Sequence, residues 1–455
     1  MVPMGKLFGT SGVRGVLWKQ ITPGLMMDLG LVFATHLGNS GTVVVGRDPR
    51  VSSVMLEDSF ISGLLSGGCR VRQVGTVPTP VVGFAVRRLR AVAGVMVTAS
   101  HNPPQYNGIK LFDSDGMAYT PELETKIEEA YFEKRMERVR WDRIGKVEKA
   151  NILSSYVDEA AARVRLKRRY KIVVDCGNGS GSLVTPFLFR KLGCEVKTLN
   201  AHPDGTFPGR GLEPSAENLE GLCKAVKTVG ADLGIAHDGD ADRVAAVDDL
   251  GRVVQPDKLL ALVAAGQLAE NRKTVVTTVD SSMVVDEVVA EHGGKVVRTP
   301  VGDVHVAAAV KQHDSAFGGE PSGAWIFPDF HLAPDGPFGS IKILELMDST
   351  GKKLSELLDG LPNYQTAREK IPCPNSKKIQ VMEKVGLRSK EISDVLSVSH
   401  VDGTRLEFND GWVLVRPSGT EPYIRVTAES KSSERASDLL RMMVKILGDI
   451  LHTPR

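Results

Sequence analysis

Lys171-Ile172-Val173-Val174-Asp175-Cys176-Gly177-Asn178-Gly179-Ser180-Gly181-Ser182 is the stretch that decides between the available folds. A short apolar run bounded by polar residues reads as a buried strand, and the glycines that follow punctuate a turn. A helix is expected over 183–192, a strand over Glu195–Leu199, then a Pro/Gly-rich loop over His202–Pro214. Helix 217–228 and the strands Ala231–Ala236 and Val244–Val247 complete a βαβ pattern, which implies a largely parallel sheet. Strand, Gly-rich turn and helix also open dinucleotide-binding units. Here Ser182 stands where G-x-G-x-x-G needs its last glycine, and no clean acidic partner closes the following strand. An NAD(P)-dependent oxidoreductase is therefore a distant alternative. A P-loop and a G-x-S-x-G elbow are both absent.

The same alternation extends to both sides. Upstream, strands are expected at Gly41–Gly46, Arg70–Val74 and Ala91–Val97, with helices at Leu56–Ser66 and, highly charged, at Thr120–Arg140. A helix over Ser154–Arg165 leads into the block just described. Downstream, helices at 257–270, 282–292 and 304–312 alternate with strands at 274–278, 295–298 and Ser315–Gly318, before helices 338–349 and 353–360. The last portion changes character. Strand Arg368–Pro372 and helix Lys377–Val385 precede a hairpin of Thr404–Phe408 and Trp412–Arg416, for which Asn409-Asp410-Gly411 is expected to supply positive φ angles. Strand Tyr423–Glu429 and an amphipathic helix Ser433–Leu451, with Leu439, Leu440, Met443, Leu447 and Leu451 as core, end the chain. The expected fold is α/β, with four domains: 1–150, 151–250 and 251–365 as variants of one α/β unit, and 366–455 as an α+β unit.

Bulk properties agree. A chain of 455 residues with 42% hydrophobic content has room for about three or four cores. The net charge of +2, from 57 basic and 55 acidic residues, gives no global field for nucleic acid or an anionic membrane, so any anion site is local. Cys69, Cys176, Cys194, Cys223 and Cys373 form no Cys-x-x-Cys pair, which argues against structural zinc or a disulfide framework and fits a reducing cytosol. No apolar run approaches the roughly 20 residues of a membrane span, and Met1–Phe8 lacks the apolar core of a signal peptide. The expected protein is soluble and cytoplasmic, with Met1 and Met4 both open as the start.

Four loops carry chemistry. Val97-Thr98-Ala99-Ser100-His101-Asn102-Pro103-Pro104 places a hydroxyl at a strand end, where loops do chemistry, with Lys110 following in Asn107-Gly108-Ile109-Lys110. Alone, the Ser-His pair reads as a capping serine and a hydrogen-bonded histidine. Asp238-Gly239-Asp240-Ala241-Asp242-Arg243 lies between two apolar strands; if extended, it projects three carboxylates together. Such charges repel unless a cation relieves them, and hard oxygen ligands suit Mg²⁺ or Ca²⁺. An EF-hand needs Gly where Arg243 stands, and a solvated acidic turn needs no flanking apolar strands. Arg416-Pro417-Ser418-Gly419-Thr420-Glu421-Pro422-Tyr423-Ile424-Arg425 offers two guanidinium groups, hydroxyls and free N–H groups, which suits a phosphate dianion, although an ordinary turn with surface arginines has the same composition. Gly318-Gly319-Glu320-Pro321-Ser322-Gly323-Ala324-Trp325 offers a carboxylate and a hydroxyl for sugar hydroxyls, or a Gly-rich turn with Trp325 in the core. Phe8-Gly9-Thr10-Ser11-Gly12-Val13-Arg14-Gly15 adds a basic residue in a polar loop, and Arg47 ends another strand.

With these loops in this order, the chain resembles the α-D-phosphohexomutase superfamily along its whole length: TASHNP its phosphoserine loop, DGDADR its Mg²⁺ loop, GEPSG its sugar loop and RPSGTEPYIR its phosphate loop. The resemblance implies four domains around a central cleft and a phosphoryl group carried on Ser100. Mg²⁺ would be held by Asp238, Asp240, Asp242 and a phosphoserine oxygen. It implies that a hexose phosphate takes the phosphoryl group, turns over as a bisphosphate inside the cleft and returns its other phosphate to Ser100. Lys110 is then the general acid/base, Arg14 and His101 orient or neutralise the phosphoryl group, and Arg243 does so from the metal side. Arg416, Ser418, Gly419, Thr420 and Arg425 would hold the non-reacting phosphate, Glu320 and Ser322 would read the sugar hydroxyls, and closure of the last domain would gate turnover.

The subfamily is divided. HNPPQYNGIK resembles phosphomannomutase/phosphoglucomutase, while FGTSGVRG and GEPSG also resemble archaeal-type phosphoglucosamine mutases. Pro321 before the serine, Ala324 in place of the usual His, and Val304 in place of the Arg of bacterial glucosamine enzymes depart from the common patterns. The expected reaction interconverts glucosamine 6-phosphate and 1-phosphate, with mannose or glucose phosphates as the alternative. No nucleic acid or membrane partner is expected, and an oligomer is left open. A sugar-phosphate-binding protein without catalysis is the remaining rival, separated from an enzyme by Ser100 and the aspartate triplet.

Overall fold

The β-branched runs fold as strands where the alternation places them. In a computed structural model, which describes residues 7–9, 12–419 and 421–452, Lys171–Asp175, Glu195–Leu199 and Thr274–Thr278 occupy the expected ranges. Thr10, Ser11, Thr420 and both candidate start methionines lie outside the described residues.

Four sheets follow one another along the chain. The second runs, in space, Ala245–Val247, Leu233–Ala236, Lys171–Asp175, Glu195–Leu199. The third runs Trp325–Ile326, Phe317–Gly319, Thr274–Thr278, Lys295–Thr299. In each, three strands are parallel and the last in sequence is an antiparallel edge. The first sheet repeats this order with Tyr106–Phe112, Ala93–Val97, Thr42–Arg47 and Arg70–Thr76, flanked by Val13–Val16 and Val147–Lys149. The three α/β sheets are thus one strand order used three times. The fourth sheet is antiparallel throughout: Gln365–Pro372, Tyr423–Ser430, Gly411–Pro417, Thr404–Phe408 and Ser397–Ser399. Helices Lys378–Arg388 and Ser433–His452 pack on it, burying Leu439, Met443 and Leu447 against Val413, Val415 and Val426, with Leu440 and Leu451 partly buried.

Several elements differ from the sequence expectation. The charged helix stops at Phe132 rather than Arg140. Lys134 takes φ 57°, and the chain beyond it returns to bond earlier helices, Glu137 N to Thr35 Oγ1 at 2.9 Å and Val139 N to Ser66 O at 3.0 Å. At the Thr404–Phe408 hairpin, none of Asn409, Asp410 and Gly411 has positive φ. Gly411 serves close approach instead, since a Cβ there would lie 2.3 Å from the Glu429 carbonyl oxygen. Helices Pro23–His36 and Thr79–Arg88 carry no strong sequence signal because their residues are buried on most sides, every one from Thr79 to Val86 in the second case, which erases the 3.6-residue alternation. Asn107, Gly108 and Lys110 mask strand Tyr106–Phe112 in the same way, by interrupting its apolar run.

All five cysteines are unpaired. Among the described residues, no helix is long and apolar enough to cross a membrane.

Candidate active site

The repeated strand order places three of the chemistry-bearing loops at equivalent positions. Each connects the third strand of its unit to the antiparallel edge: Ser100 follows Ala93–Val97, Asp238 follows Leu233–Ala236, and Glu320 follows Phe317–Gly319. Loops at the carboxyl ends of parallel strands are where α/β sheets bind ligands.

The serine loop is held from beneath by one buried arginine. Arg50 pairs with Asp48 at 2.9 Å and donates to the carbonyl oxygens of Ser100 at 2.8 Å, Asn102 at 2.7 Å, Pro103 at 2.6 Å and Tyr106 at 3.1 Å. Asp48 also accepts from Thr98 Oγ1 at 2.8 Å, and Thr98 Oγ1 accepts from Ser100 N at 2.9 Å. This frame keeps Ser100 at φ 49°, a left-handed conformation unusual for serine. Sequence alone does not single out Arg50, because an arginine in a loop ordinarily reads as solvated. In the next strand, the register Met96 opposite Lys110 brings the ammonium group back beside the serine loop.

The aspartate loop is turned rather than extended. Ala241 has φ 55° and its N–H bonds Asp238 O at 3.3 Å, so the convergence of the three carboxylates comes from a turn, not from alternate positions on a strand. Three domains clasp it. Thr79 N donates to Asp240 O at 2.8 Å, Ser180 N to Gly239 O at 3.0 Å and Gly336 N to Ala241 O at 3.3 Å, while Arg243 bridges Ala324. Gly239 is required by contact, since a Cβ there would meet Ser100 O at 2.7 Å.

The side chains then meet across domains. Ser100 Oγ donates to Asp238 Oδ2 at 2.6 Å. Lys110 Nζ donates to Asp240 Oδ2 at 3.0 Å and pairs with Asp242. Asp240 also accepts from Thr79 Oγ1. Ser100, Asp238, Asp240, Asp242 and Lys110 are all buried. Burial and the neighbouring Asp242 and Asp240 push the Asp238 carboxyl well above the ordinary carboxylate range. Burial also works against ionised Asp240, but Lys110 and the Thr79 hydroxyl outweigh it and hold that carboxyl low. Lys110 loses ground to burial and regains more from Asp240 and Asp242, so it remains an ammonium ion.

One observation tests whether these residues fit a metal. Oδ1 of each aspartate is buried without a hydrogen-bond partner among the described residues, and carboxylate oxygens from all three lie within 4.8 Å of one another. Buried acceptors left unmatched are costly, and three oxygens converging at this spacing suit a hard divalent cation.

The cleft above them has a volume of about 300 Å³. Arg14, Ser100, His101, Asp242, Arg243, Glu320, Arg416, Ser418, Gly419 and Arg425 all line it, so most of the residues singled out in the sequence converge. Ser322 does not line this cleft; it is exposed, and its hydroxyl donates to Glu320 Oε2 at 3.1 Å. Arg14 donates to Asn102 Oδ1 at 3.5 Å. Arg243 pairs with Glu213 at 3.1 Å and lies 4.0 Å from Asp238. Burial and the nearby Arg243 lower His101 to about 4, so its ring is neutral near pH 7. Burial and Asp303 raise Glu320 to about 7, although its Oε1 accepts from Gly302 N at 2.7 Å. Asp303, unremarked in the sequence, lines the same cleft and is itself raised by burial. Arg416 Nε donates to Asp402 at 2.7 Å, and Asp402 accepts from Val301 N at 3.1 Å, which ties the last sheet to the third unit. Trp325 is buried and its Nε1 donates to Glu320 O at 3.3 Å, so it supports the Glu320 loop from the core.

The glycine-rich turn that suggested a dinucleotide is filled by protein. A Cβ on Gly179 would lie 2.5 Å from Gly239 O, and one on Gly177 would lie 3.0 Å from the Arg210 guanidinium. The turn buttresses the aspartate loop, which accounts for its glycines without a nucleotide.

Four family models, for the phosphoglucomutase/phosphomannomutase α/β/α domains I, II and III and the C-terminal domain, match residues 5–138, 154–251, 255–364 and 369–446. A probable phosphoglucosamine mutase of Methanobrevibacter smithii is 49% identical over 98% of this chain and 99% of its own. A phosphoglucomutase/phosphomannomutase of Thermococcus kodakarensis is 46% identical over 98% and 100%. The crystal structure of a phosphoglucomutase/phosphomannomutase family protein from Burkholderia thailandensis superposes with a TM-score of 0.90 at 28% identity, covering 99% of this chain and 98% of that one. Sheet order, the convergence of four loops and full-length similarity agree that the chain belongs to the phosphoglucomutase/phosphomannomutase family and is an enzyme of the phosphohexomutase class.

Proposed function

We propose that this enzyme interconverts glucosamine 6-phosphate and glucosamine 1-phosphate, with Ser100 carrying the phosphoryl group. The observation that carries the reading is Ser100 Oγ at 2.6 Å from Asp238, on a cleft that Arg416 and Arg425 also line. Full-length relatives named probable phosphoglucosamine mutase, at 46–49% identity, support the sugar. So does the pair Asp303 and Glu320: two carboxylates crowded into one cleft, each raised by burial, are relieved by a protonated amine on the substrate.

In the working cycle, a hydroxyl of the hexose monophosphate attacks phosphorus on phosphorylated Ser100. The Ser100 Oγ–P bond breaks, the new O–P bond gives a bisphosphorylated sugar, and the hydroxyl proton is exchanged for one on Ser100 Oγ. Transfer of the other phosphate back to Ser100 completes the interconversion. Asp238, Asp240 and Asp242, with a phosphoserine oxygen, would hold Mg²⁺, which neutralises charge on the transferring group when bound. Lys110, kept cationic by Asp240 and Asp242, sets positive charge at the reacting centre and supplies the proton for the departing serine oxygen. His101, being neutral, orients the phosphoryl group rather than neutralising it; Arg14 and Arg243 neutralise it. Arg416, Ser418, Gly419, Thr420 and Arg425 hold the phosphate that is not reacting. Glu320 reads the sugar directly, and Ser322 acts through Glu320. The unpaired thiols fit a reducing cytosol.

The test is a single vessel containing glucosamine, mannose and glucose 1-phosphates. Glucosamine phosphate is expected to show the highest kcat/KM by at least about tenfold, because a site built around an ammonium leaves carboxylates unpaired when given a hydroxyl. A preference for mannose or glucose phosphate would assign the enzyme to the alternative sugar.

A further inference from the structure

The last sheet presents more positive charge than the phosphate clamp requires. In the register of its first three strands, Lys370 lies opposite Arg425, and Arg425 opposite Arg416. Two residues along, Arg368 lies opposite Thr427, and Thr427 opposite Leu414. Side chains two apart share a face, so Arg368, Lys370, Arg416 and Arg425 all stand on one side of the sheet. Like charges placed directly opposite one another destabilise a sheet. Arg416 and Arg425 have carboxylate neighbours in Asp402 and Glu421. Among the described residues, Arg368 and Lys370 make no ion pair: Arg368 feels Asp257 only at longer range, and the Lys370 ammonium lies 4.8 Å from the Tyr423 ring centroid.

This face borders a second chamber of about 790 Å³, more than twice the volume of the catalytic cleft. The two spaces share Arg416 and Arg425 in their walls. The chamber's wall carries four cations, Arg368, Lys370, Arg416 and Arg425, against the three carboxylates Glu213, Asp280 and Glu369. This excess of positive charge, continuous with the phosphate clamp, forms a place where an anion rests without reacting.

We propose that Arg368 and Lys370 are positioning residues for the bisphosphorylated sugar. Resting on the phosphoserine reading above, the assignment gives them the phosphate that has left the reacting centre, so that the intermediate stays on the enzyme while its two ends exchange places. The chamber beside the cleft adds room in which the bisphosphate turns. Arg416 and Arg425, common to both spaces, pass the phosphate between them.

The experiment measures free hexose bisphosphate released per turnover from phosphorylated enzyme, in wild type, in Arg368→Ala/Lys370→Ala and in the charge-conserving Arg368→Lys/Lys370→Arg. The alanine pair is expected to release about tenfold more, since removing a charge-assisted hydrogen bond to the phosphate shortens the residence of the intermediate. Its activity is expected to decay as enzyme loses phosphate, and added bisphosphate to restore it. The charge-conserving pair is expected to stay near wild type. Unchanged release from the alanine pair, or equal leakage from both double variants, would overturn the assignment. If phosphate is absent from Ser100 in turning-over wild type, the phosphoserine reading falls and takes this one with it; phosphate on Ser100 with unchanged release refutes the retention role alone.

Discussion

The two ends of the cleft are built on opposite principles. Ser100 and the three aspartates are buried and gripped by three domains at once, with Arg50, Thr79, Ser180 and Gly336 each fixing a loop. Arg416 and Arg425 come from a single antiparallel sheet and keep 24% and 50% of their side chains exposed. The difference fits the roles proposed for the two ends. Phosphoryl transfer gains from preorganised charge out of water, where no rearrangement is needed at the moment of reaction. A clamp that accepts either end of a sugar bisphosphate needs open access and cations that remain solvated until a phosphate arrives. The first end is fixed by the fold, and on the proposed reading the second is completed by its ligand.

Substitutions separate the two ends. The largest effect is expected at Arg50→Met, which leaves Asp48 buried without its partner and unties four carbonyl groups of the serine loop. A stability loss of about 3–5 kcal/mol is expected in denaturant titration, with activity lost in parallel. A fully stable variant would show that the reacting end is not held from beneath. Next comes Asp240→Asn, expected to lower kcat by about 10²–10³-fold with little change in KM, as for removal of one preorganised charge. If KM rose instead, the carboxylates would be binding sugar rather than supporting transfer.

At the open end, Arg416→Lys is expected to raise KM about tenfold and leave kcat nearly alone, because the planar fork and its bond to Asp402 are lost while a charge remains. Collapse of kcat there would mean that the open end is as tightly coupled to chemistry as the closed one. The smallest effect concerns Glu320. Its carboxyl is raised to about 7, so it is ionised above that pH and protonated below. The sugar contact weakens as pH falls through 7, and kcat/KM is expected to drop about threefold. Glu320→Gln should flatten that limb of the profile. The same raised pKa means that the folded state binds the proton more tightly than the unfolded chain, so this group's contribution to stability declines as pH rises from the ordinary glutamate range to about 7.

The closed end was also the more legible in sequence. Ser100 and the aspartate triplet stand out because hydroxyl and carboxylates interrupt apolar strands, and the structure brings them within hydrogen-bonding distance. What sequence could not give was how the aspartates converge, since the turn at Ala241 with φ 55° is a property of neighbours in three domains. Arg50 escaped for a similar reason, because the carbonyl groups that it satisfies lie about fifty residues away. Helices Pro23–His36 and Thr79–Arg88 were illegible because burial on nearly every side removes the alternation by which helices are read. Gly177 and Gly179 misled in the opposite way: their motif points to a nucleotide, whereas the glycines make room for Arg210 and for the aspartate loop. At the open end, the row Lys370, Arg425, Arg416 exists only in the register of three strands, two of them more than forty residues apart in sequence.

Ser100 as the group that takes and gives phosphate is the claim on which the rest stands. Enzyme turned over with substrate carrying a labelled phosphate, quenched, digested and mapped by mass, is predicted to yield label on the peptide containing Ser100, and unlabelled substrate is predicted to chase it away at the rate of turnover. Full turnover with no label on Ser100, or label there that fails to chase, would contradict it.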